Sequence, residues 1–382
     1  MADASNIRRP LLPRDQQTKI MQHDNGCLRL SSSDLWNFLC VNLLFSSSNR
    51  TAINANAQCL LLPSDSDGEI PAEVSAKSAE IQSCPAPDPA LYYQPVIGIL
   101  THPGDGASGR LMNGSHVSYI AASYVKFCEA AGARVIPLIY NERREVLLEK
   151  LNLVNGMLLT GGWCKRGLYY DTVEMIFKHV LERNDAGDHF PLVAICLNFE
   201  LISIIVSQDR SIFERYSALD LPSTLQFKQN IELNNTVFRR FSSELLKKVS
   251  TECLIMQSHR FGVSPETFES NHALSNFFKI LTTCADKNGK VYVSTTQAYR
   301  YPIFGFQWHP EKNAFEWGLP NIPHSEDAVQ VTQHVANFFI SEARKSSNRP
   351  PTTRVLDNLI YNHSPTYCGK AGKGYDEVYL FP

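Results

Sequence analysis

The sequence predicts an α/β protein, a three-layer sandwich in which a mostly parallel central sheet is flanked by helices on both faces. Three observations carry that expectation. From Pro95 onward, short apolar runs rich in β-branched residues alternate with longer amphipathic segments, which is the pattern of strand–helix–strand units. The first run, Val96 to Leu100, is apolar throughout, as a strand covered on both faces should be. The first amphipathic segment is closed by Gly132, a common helix stop.

Taken in order, residues 96–100 read as a strand and residues 119–131 as a helix. A strand over 134–139 and a helix over 143–151 follow. Residues 156–159 give the next strand and 170–183 the next helix. The run 192–195 is a strand leading into a helix from Phe199. Beyond it the chain turns strand-rich, near 253–256, 278–283, 291–295 and 303–307, and a long helix covers 326–345. The tail 346–382 is rich in Pro, Asn and Gly and reads as loop packed on the main domain over 91–345.

Residues 1–90 read as a leader and linker, with scattered Ser, Asn, Asp and Pro and little periodicity. One apolar stretch, Leu35 to Phe45, has the length of a signal-peptide core and is too short to span a bilayer. Arg29 precedes it, and Ala55-Asn56-Ala57 offers the small-x-small spacing that signal peptidase accepts. The stretch lies too deep for a signal counted from Met1, but is well placed counted from Met21. The expectation is a start at Met21 and a signal segment over 35–57, removed up to Ala57. The alternative is a disordered leader with one chance apolar run. N-x-S/T sequons stand at Asn49, Asn113, Asn234 and Asn362, which adds to the case for the secretory route.

A formal charge of −2 gives no bulk electrostatic preference for nucleic acid or an anionic membrane. The 10 cysteines do not cluster in C-x-x-C pairs, which argues against structural zinc. Their number alone leaves disulfide pairing open.

The chemistry centres on Cys196. It follows the run 192–195 and precedes a helical segment, the strand–turn–helix setting of a nucleophile elbow. A helix N-terminus favours thiolate there. The bland reading is a small buried hydrophobe. Two features shift the balance. The first is Gln307-Trp308-His309-Pro310-Glu311, after a strand. In an extended chain His309 and Glu311 share a face, so the carboxylate can fix the imidazole. A protonated His309 would depress the Cys196 thiol and give its proton to a leaving amine. The second is Gly161-Gly162 after an earlier strand. Such a turn can supply an oxyanion donor, together with the N–H of Leu197.

Those motifs, with Cys196-Leu197-x-Phe199-Glu200 between them, stand in the order found in class I glutamine amidotransferase-like proteins, which the chain resembles. It is most similar to γ-glutamyl hydrolases, particularly the plant ones. This likeness rests on His102-Pro103-Gly104-Asp105-Gly106, on Ser118 to Tyr124, and on Pro310-Glu311-Lys312-Asn313-Ala314-Phe315-Glu316-Trp317. It covers roughly residues 84–382.

The resemblance implies a hydrolase domain that cleaves γ-glutamyl bonds of folate poly-γ-glutamates with Cys196, His309 and Glu311. Gly161, Gly162, Leu197, Glu200 and Gln307 would serve oxyanion and substrate binding, and His259 the substrate side. It implies no metal and no organic cofactor, a vacuolar or extracellular location, and a homodimer. Lys165, Arg166 and Arg260 are candidate cations for the anionic tail, the bland reading of each being a solvated surface charge.

The chain departs from the family at Asn198, where a Gly is usual, and at Thr160, where a Pro is usual. Asn198 puts the tight elbow in doubt. That leaves two other readings: a non-catalytic polyglutamate binder, or an amidotransferase glutaminase. Against the second, the position where such glutaminases carry Gln is Glu200.

Overall fold

Strand formation here follows from burial on both faces. The structure is a computed structural model describing residues 86–112, 114, 116–369 and 375–382. All of them fall within the unit Ser83–Pro382. The signal segment over 35–57, the Met21 start and the sequons at Asn49 and Asn113 lie outside the described residues.

In chain order the elements are β1 (Val96–Leu100), β2 (His102–Pro103), β3 (Ser118–Ala121), α1 (Ala122–Glu129), β4 (Arg134–Leu138), α2 (Arg144–Leu151), β5 (Gly156–Leu159) and α3 (Leu168–Asp185). Next come β6 (Leu192–Ile195), α4 (Leu197–Ser207), β7 (Glu214–Ser223), β8 (Gln226–Phe227), α5 (Ser243–Thr251), β9 (Ile255–Gly262), α6 (Pro265–Ser270) and α7 (His272–Phe277). The last are β10 (Phe278–Ala285), β11 (Val291–Ala298), β12 (Ile303–Phe306), α8 (Lys312–Phe315), α9 (Glu326–Ala343), α10 (Thr352–Asn358), β13 (Thr366–Tyr367) and β14 (Glu377–Phe381).

The central sheet runs β4-β1-β5-β6-β12-β11-β10-β8. Its first five strands are parallel, and the last three each run antiparallel to their neighbour. Side chains alternate between the faces. Ile97, Ile99, Leu158, Val193 and Ile195 join one core with Phe127 of α1 and Phe339 of α9. Val96, Leu100, Met157, Leu159 and Leu192 join the other with Leu147 of α2, Ile176 of α3 and Ile202 of α4. These are the three layers the sequence predicts.

Three expectations need correction. Residues 118–121 form β3, and the helix starts only at Ala122. Tyr119 and Ile120 suit a strand, and β3 is claimed by β2 and β14 on either side. The strand near 253–256 begins at Ile255, because a turn from Glu252 to Leu254 follows α5. It pairs with β7 in a separate two-stranded sheet. The tail is not all loop. It forms α10, β13 and β14, and β14 pairs with β3 from Val378↔Ala121 to Phe381↔Ser118. Turn-forming composition masked a short apolar strand at its end.

Parallel strands share one carboxyl edge, where ligands bind in open α/β sheets. Thr160 and Gly161 follow β5, Cys196 follows β6, and Gln307 follows β12; β5, β6 and β12 are consecutive in the sheet. Segments nearly 150 residues apart in sequence therefore meet at one edge. Among the described residues the six cysteines are all free. No described helix is long and apolar enough to cross a membrane.

Candidate active site

Cys196 sits between β6 and α4 with φ 51° and ψ −105°. A non-Gly residue held at positive φ costs about 1–3 kcal/mol and persists only where neighbours impose it. Here the Cys196 N–H is bound to the Phe306 carbonyl at 2.6 Å. The thiol is 5% exposed and donates to the Ser258 carbonyl at 3.9 Å. The N–H of Leu197, first residue of α4, points at the sulfur. Burial pushes the thiol up, and the carboxylates of Glu200 and Glu311 add to it. The Leu197 N–H and Lys165 oppose them without reversing the balance. The expected depression of the thiol is thus absent in this resting geometry: desolvation outweighs the helix end.

His309 and Glu311 lie in a turn, not in extended chain, since Glu311 has helical backbone and caps α8. They meet nonetheless. His309 Nδ1–H donates to Glu311 Oε1 at 2.8 Å. Burial alone would raise the Glu311 carboxyl. The facing imidazole, its hydrogen bond and Lys312 bring it below the usual range. The other ring nitrogen, Nε2, is buried and has no hydrogen-bond partner. The segment is pinned by Trp308 Nε1–H to Thr295 Oγ1 at 2.9 Å, and by Thr332 Oγ1–H to the Pro310 carbonyl at 2.7 Å.

The two glycines are required by contact. A β-carbon on Gly161 would lie 2.9 Å from His309 Cε1, 2.9 Å from the Tyr124 hydroxyl and 3.5 Å from Cys196 Cβ. One point therefore touches nucleophile and imidazole together. A β-carbon on Gly162 would run into the His102 ring. The Gly161 N–H is already given to Tyr124 Oη at 2.9 Å. Gly162 lines the cleft.

Cys196, His309, Gly162, Ser258 and Lys312 line one cleft of about 640 Å³. Its wall is a glycine-rich loop after β2, built around Asp105. The Asp105 carboxylate accepts N–H groups from Ala107, Gly109, Leu111 and Met112 at 2.8–3.2 Å. Desolvation pushes its pKa up, but the four N–H groups outweigh it and hold it down at about 2.

Other expected residues lie behind the cleft. Glu200 is buried in the first turn of α4 and paired with Lys165. Burial lifts it to about 7 against Lys165 and the Gln307 side chain, which hold it down. Gln307 is fully buried. His259 does not line the cleft. Its Nδ1–H goes to the Phe261 carbonyl at 2.8 Å, its ring meets Tyr292 edge-on, and burial lowers it to about 3. The candidate cations take the bland reading or a structural pairing. Arg166 and Arg260 are exposed, Lys165 is committed to Glu200, and none of the three lines the cleft. Lys312 does. It lay within a recognised motif, but spacing alone gives no sign that it faces the site.

Asn198 finds room. It sits inside α4 with helical backbone, so glycine is not needed there; the left-handed position is Cys196. Its amide donates to the Thr160 carbonyl and, at 2.8 Å, to the Tyr169 hydroxyl.

A family model described as Peptidase C26 matches residues 95–311. "Gamma-glutamyl hydrolase 2" of Arabidopsis thaliana is 60% identical over 91% of this chain and 98% of its own. "Gamma-glutamyl hydrolase 1" of the same plant is 63% identical over 82% and 90%. "Gamma-glutamyl hydrolase" of Homo sapiens is 34% identical over 75% and 90%. Among solved structures, a glutamine amidotransferase from Thermotoga maritima aligns over 67% of this chain and all of its own, at 13% identity and a TM-score of 0.39.

Proposed function

The chain belongs to the peptidase C26 family, the cysteine-type γ-glutamyl hydrolases, and on that premise we propose that it cleaves the γ-glutamyl bonds of folate poly-γ-glutamates through Cys196, His309 and Glu311. The observation that carries this is the buried His309–Glu311 pair, whose Nε2 has no hydrogen-bond partner, beside a cleft that His309 and Cys196 both line.

Glu311 accepts the Nδ1 proton, which fixes the tautomer and leaves Nε2 as the base. As substrate enters, the Cys196 thiol turns from the Ser258 carbonyl to His309 Nε2 and transfers its proton. Sulfur attacks the γ-carbonyl carbon, and the negative charge on the carbonyl oxygen meets the N–H groups of Gly162 and Leu197. Collapse breaks the C–N bond, and His309 returns its proton to the leaving glutamate amine. A thioester remains. Water, deprotonated by His309, attacks it, and the thiol leaves with that proton. Lys312 is the cleft cation suited to a glutamate carboxylate.

The location we propose is the vacuole or extracellular space. The 35–57 segment supports it, as does Asn234, which is exposed. Asn362 is a poorer acceptor, because its amide donates to the Leu356 and Asp357 carbonyls. A homodimer remains part of the proposal.

The test is hydrolysis of pteroyl-triglutamate by the full chain beside Cys196→Ala. Turnover abolished by the alanine change supports the reading. Release of ammonia from free glutamine, with the pteroyl substrate intact, would move the chain to the glutaminases. Tight pteroyl-triglutamate binding without turnover would make it a binder.

A further inference from the structure

Trp163 follows Gly162 directly and lines the same cleft, yet 67% of it is exposed. Tryptophan is normally well buried, and an exposed indole costs apolar hydration. Flexibility does not explain this one, because its base is built. The Trp163 and Cys164 N–H groups both donate to His102 Nε2, at 3.1 and 3.2 Å. His102 is itself buried, and its Nδ1–H is tied to the Pro103 carbonyl at 2.8 Å. Burial drives its pKa to about 4 against that hydrogen bond, so Nε2 remains an acceptor at neutral pH. The His102 ring also stands edge-on to the indole, 5.3 Å between centroids. No other ring among the described residues meets it. A rigid foundation thus presents a wide aromatic face to the cleft.

The cleft lining joins the reactive Cys196 and His309 and the ammonium-bearing Lys312 with the apolar surfaces of Trp163, the 38% exposed Met112 and Leu319. Asp105 also lines it, but its carboxylate is committed to four loop N–H groups. A ligand that uses this lining carries both a flat aromatic group and anionic groups. Resting on the function proposed above, we infer that Trp163 is the platform on which the aromatic pteroyl end of the substrate stacks, making it a specificity-determining residue. Direct linkage to Gly162 places this platform one peptide bond from an oxyanion donor. It therefore selects bonds near the aromatic end of the chain.

The test compares kcat/KM of the full chain on two γ-linked diglutamates, one carrying a pteroyl group and one an N-acetyl group. In Trp163→Ala the pteroyl-to-acetyl ratio should fall about tenfold, through KM, as loss of a stacking contact and its buried area predicts. Trp163→Phe should restore most of it. Trp317→Ala removes another exposed indole, which stacks on His324 outside the cleft, and should leave the ratio unchanged. In parallel, pteroic acid should quench the tryptophan fluorescence of Cys196→Ala and not that of the Cys196→Ala, Trp163→Ala double variant. Equal loss on both substrates, an unchanged ratio, or a shift of Trp163→Ala from dimer to monomer with the ratio intact overturns the assignment. A parent chain that cleaves neither diglutamate sinks the proposed function instead, whatever the fluorescence shows.

Discussion

His309 Nδ1 lies 2.8 Å from Glu311 Oε1, with both side chains almost wholly removed from solvent. In that setting the carboxylate decides which imidazole nitrogen carries the proton. Glu311→Gln preserves shape but loses that control, since an amide can present a donor to Nδ1 and force the proton to Nε2. We expect kcat to fall about 10²–10⁴-fold, the range of a lost acid–base function, with KM little changed. Steady-state kinetics on pteroyl-triglutamate decide it, and a variant within a few-fold of the parent would show that Glu311 is structural.

The Cys196 thiol is governed by burial and two nearby carboxylates, all acting upward. The free enzyme should therefore hold a neutral thiol at pH 7. Alkylation by iodoacetamide should be slow there and climb through alkaline pH without a plateau below the ordinary thiol range. A plateau in the rate below pH 7 would mean a preformed thiolate–imidazolium pair. Ligand-induced change is a separate readout: a bound glutamate product that draws the thiol toward His309 would shift the profile to lower pH.

Gly161 stands where nucleophile and imidazole come together. Gly161→Ala would place a methyl group 2.9 Å from both His309 Cε1 and the Tyr124 hydroxyl, neither of which is the end of a flexible chain. The imidazole must move, and misplacement by a fraction of an ångström separates it from the nucleophile. Activity should drop about 10²-fold while the folded state survives. Near-parental activity would mean that the imidazole has slack that the static geometry hides.

The Asp105 loop gives a pH signature. The folded carboxyl sits at about 2, below its unfolded value near ~3.9. A depressed acid contributes stability above its unfolded pKa and loses it as pH falls through the folded one. The contribution is therefore whole at pH 6 and fades between about 4 and 2. Asp105→Asn keeps one oxygen but replaces the other, which serves Leu111 and Met112. Its deficit in thermal midpoint should be clear at pH 6 and shrink toward pH 3. KM should rise as well, because the loop lines the cleft. A deficit independent of pH would contradict the assigned role.

Much of this was legible beforehand for a local reason. Cys196 and Gln307 each directly follow an apolar strand run that its own residues announce, and Gly161 lies two residues beyond another, so adjacent parallel strands were bound to align them. Alternation along a strand predicts that His309 and Glu311 share a face; they meet instead through a turn. What escaped depends on packing between distant segments. Lys312 lines the cleft and Lys165 does not, being paired with Glu200 behind it, and charge in the sequence looks the same for both. Pairing of β14 with β3 joins residues about 260 apart, which no local pattern encodes. The thiol's upward shift comes from desolvation, a property of the folded interior alone.

Asn198 is the sharpest case of that kind, because its partners lie 38 and 29 residues away in sequence. Read locally, an Asn two residues past the nucleophile suggests a crowded elbow and impaired chemistry. In the fold it clamps the first turn of α4 to the end of β5 and to Tyr169 of α3. Asn198→Gly removes both hydrogen bonds, leaves a buried carbonyl and hydroxyl short of a donor, and puts glycine in a helix. We expect a stability loss of about 1–3 kcal/mol and no gain in kcat. Denaturant midpoints and kinetics on the same preparations test it. A large rise in kcat would mean that Asn198 restrains the elbow after all, and an unchanged midpoint would mean that the clamp is idle.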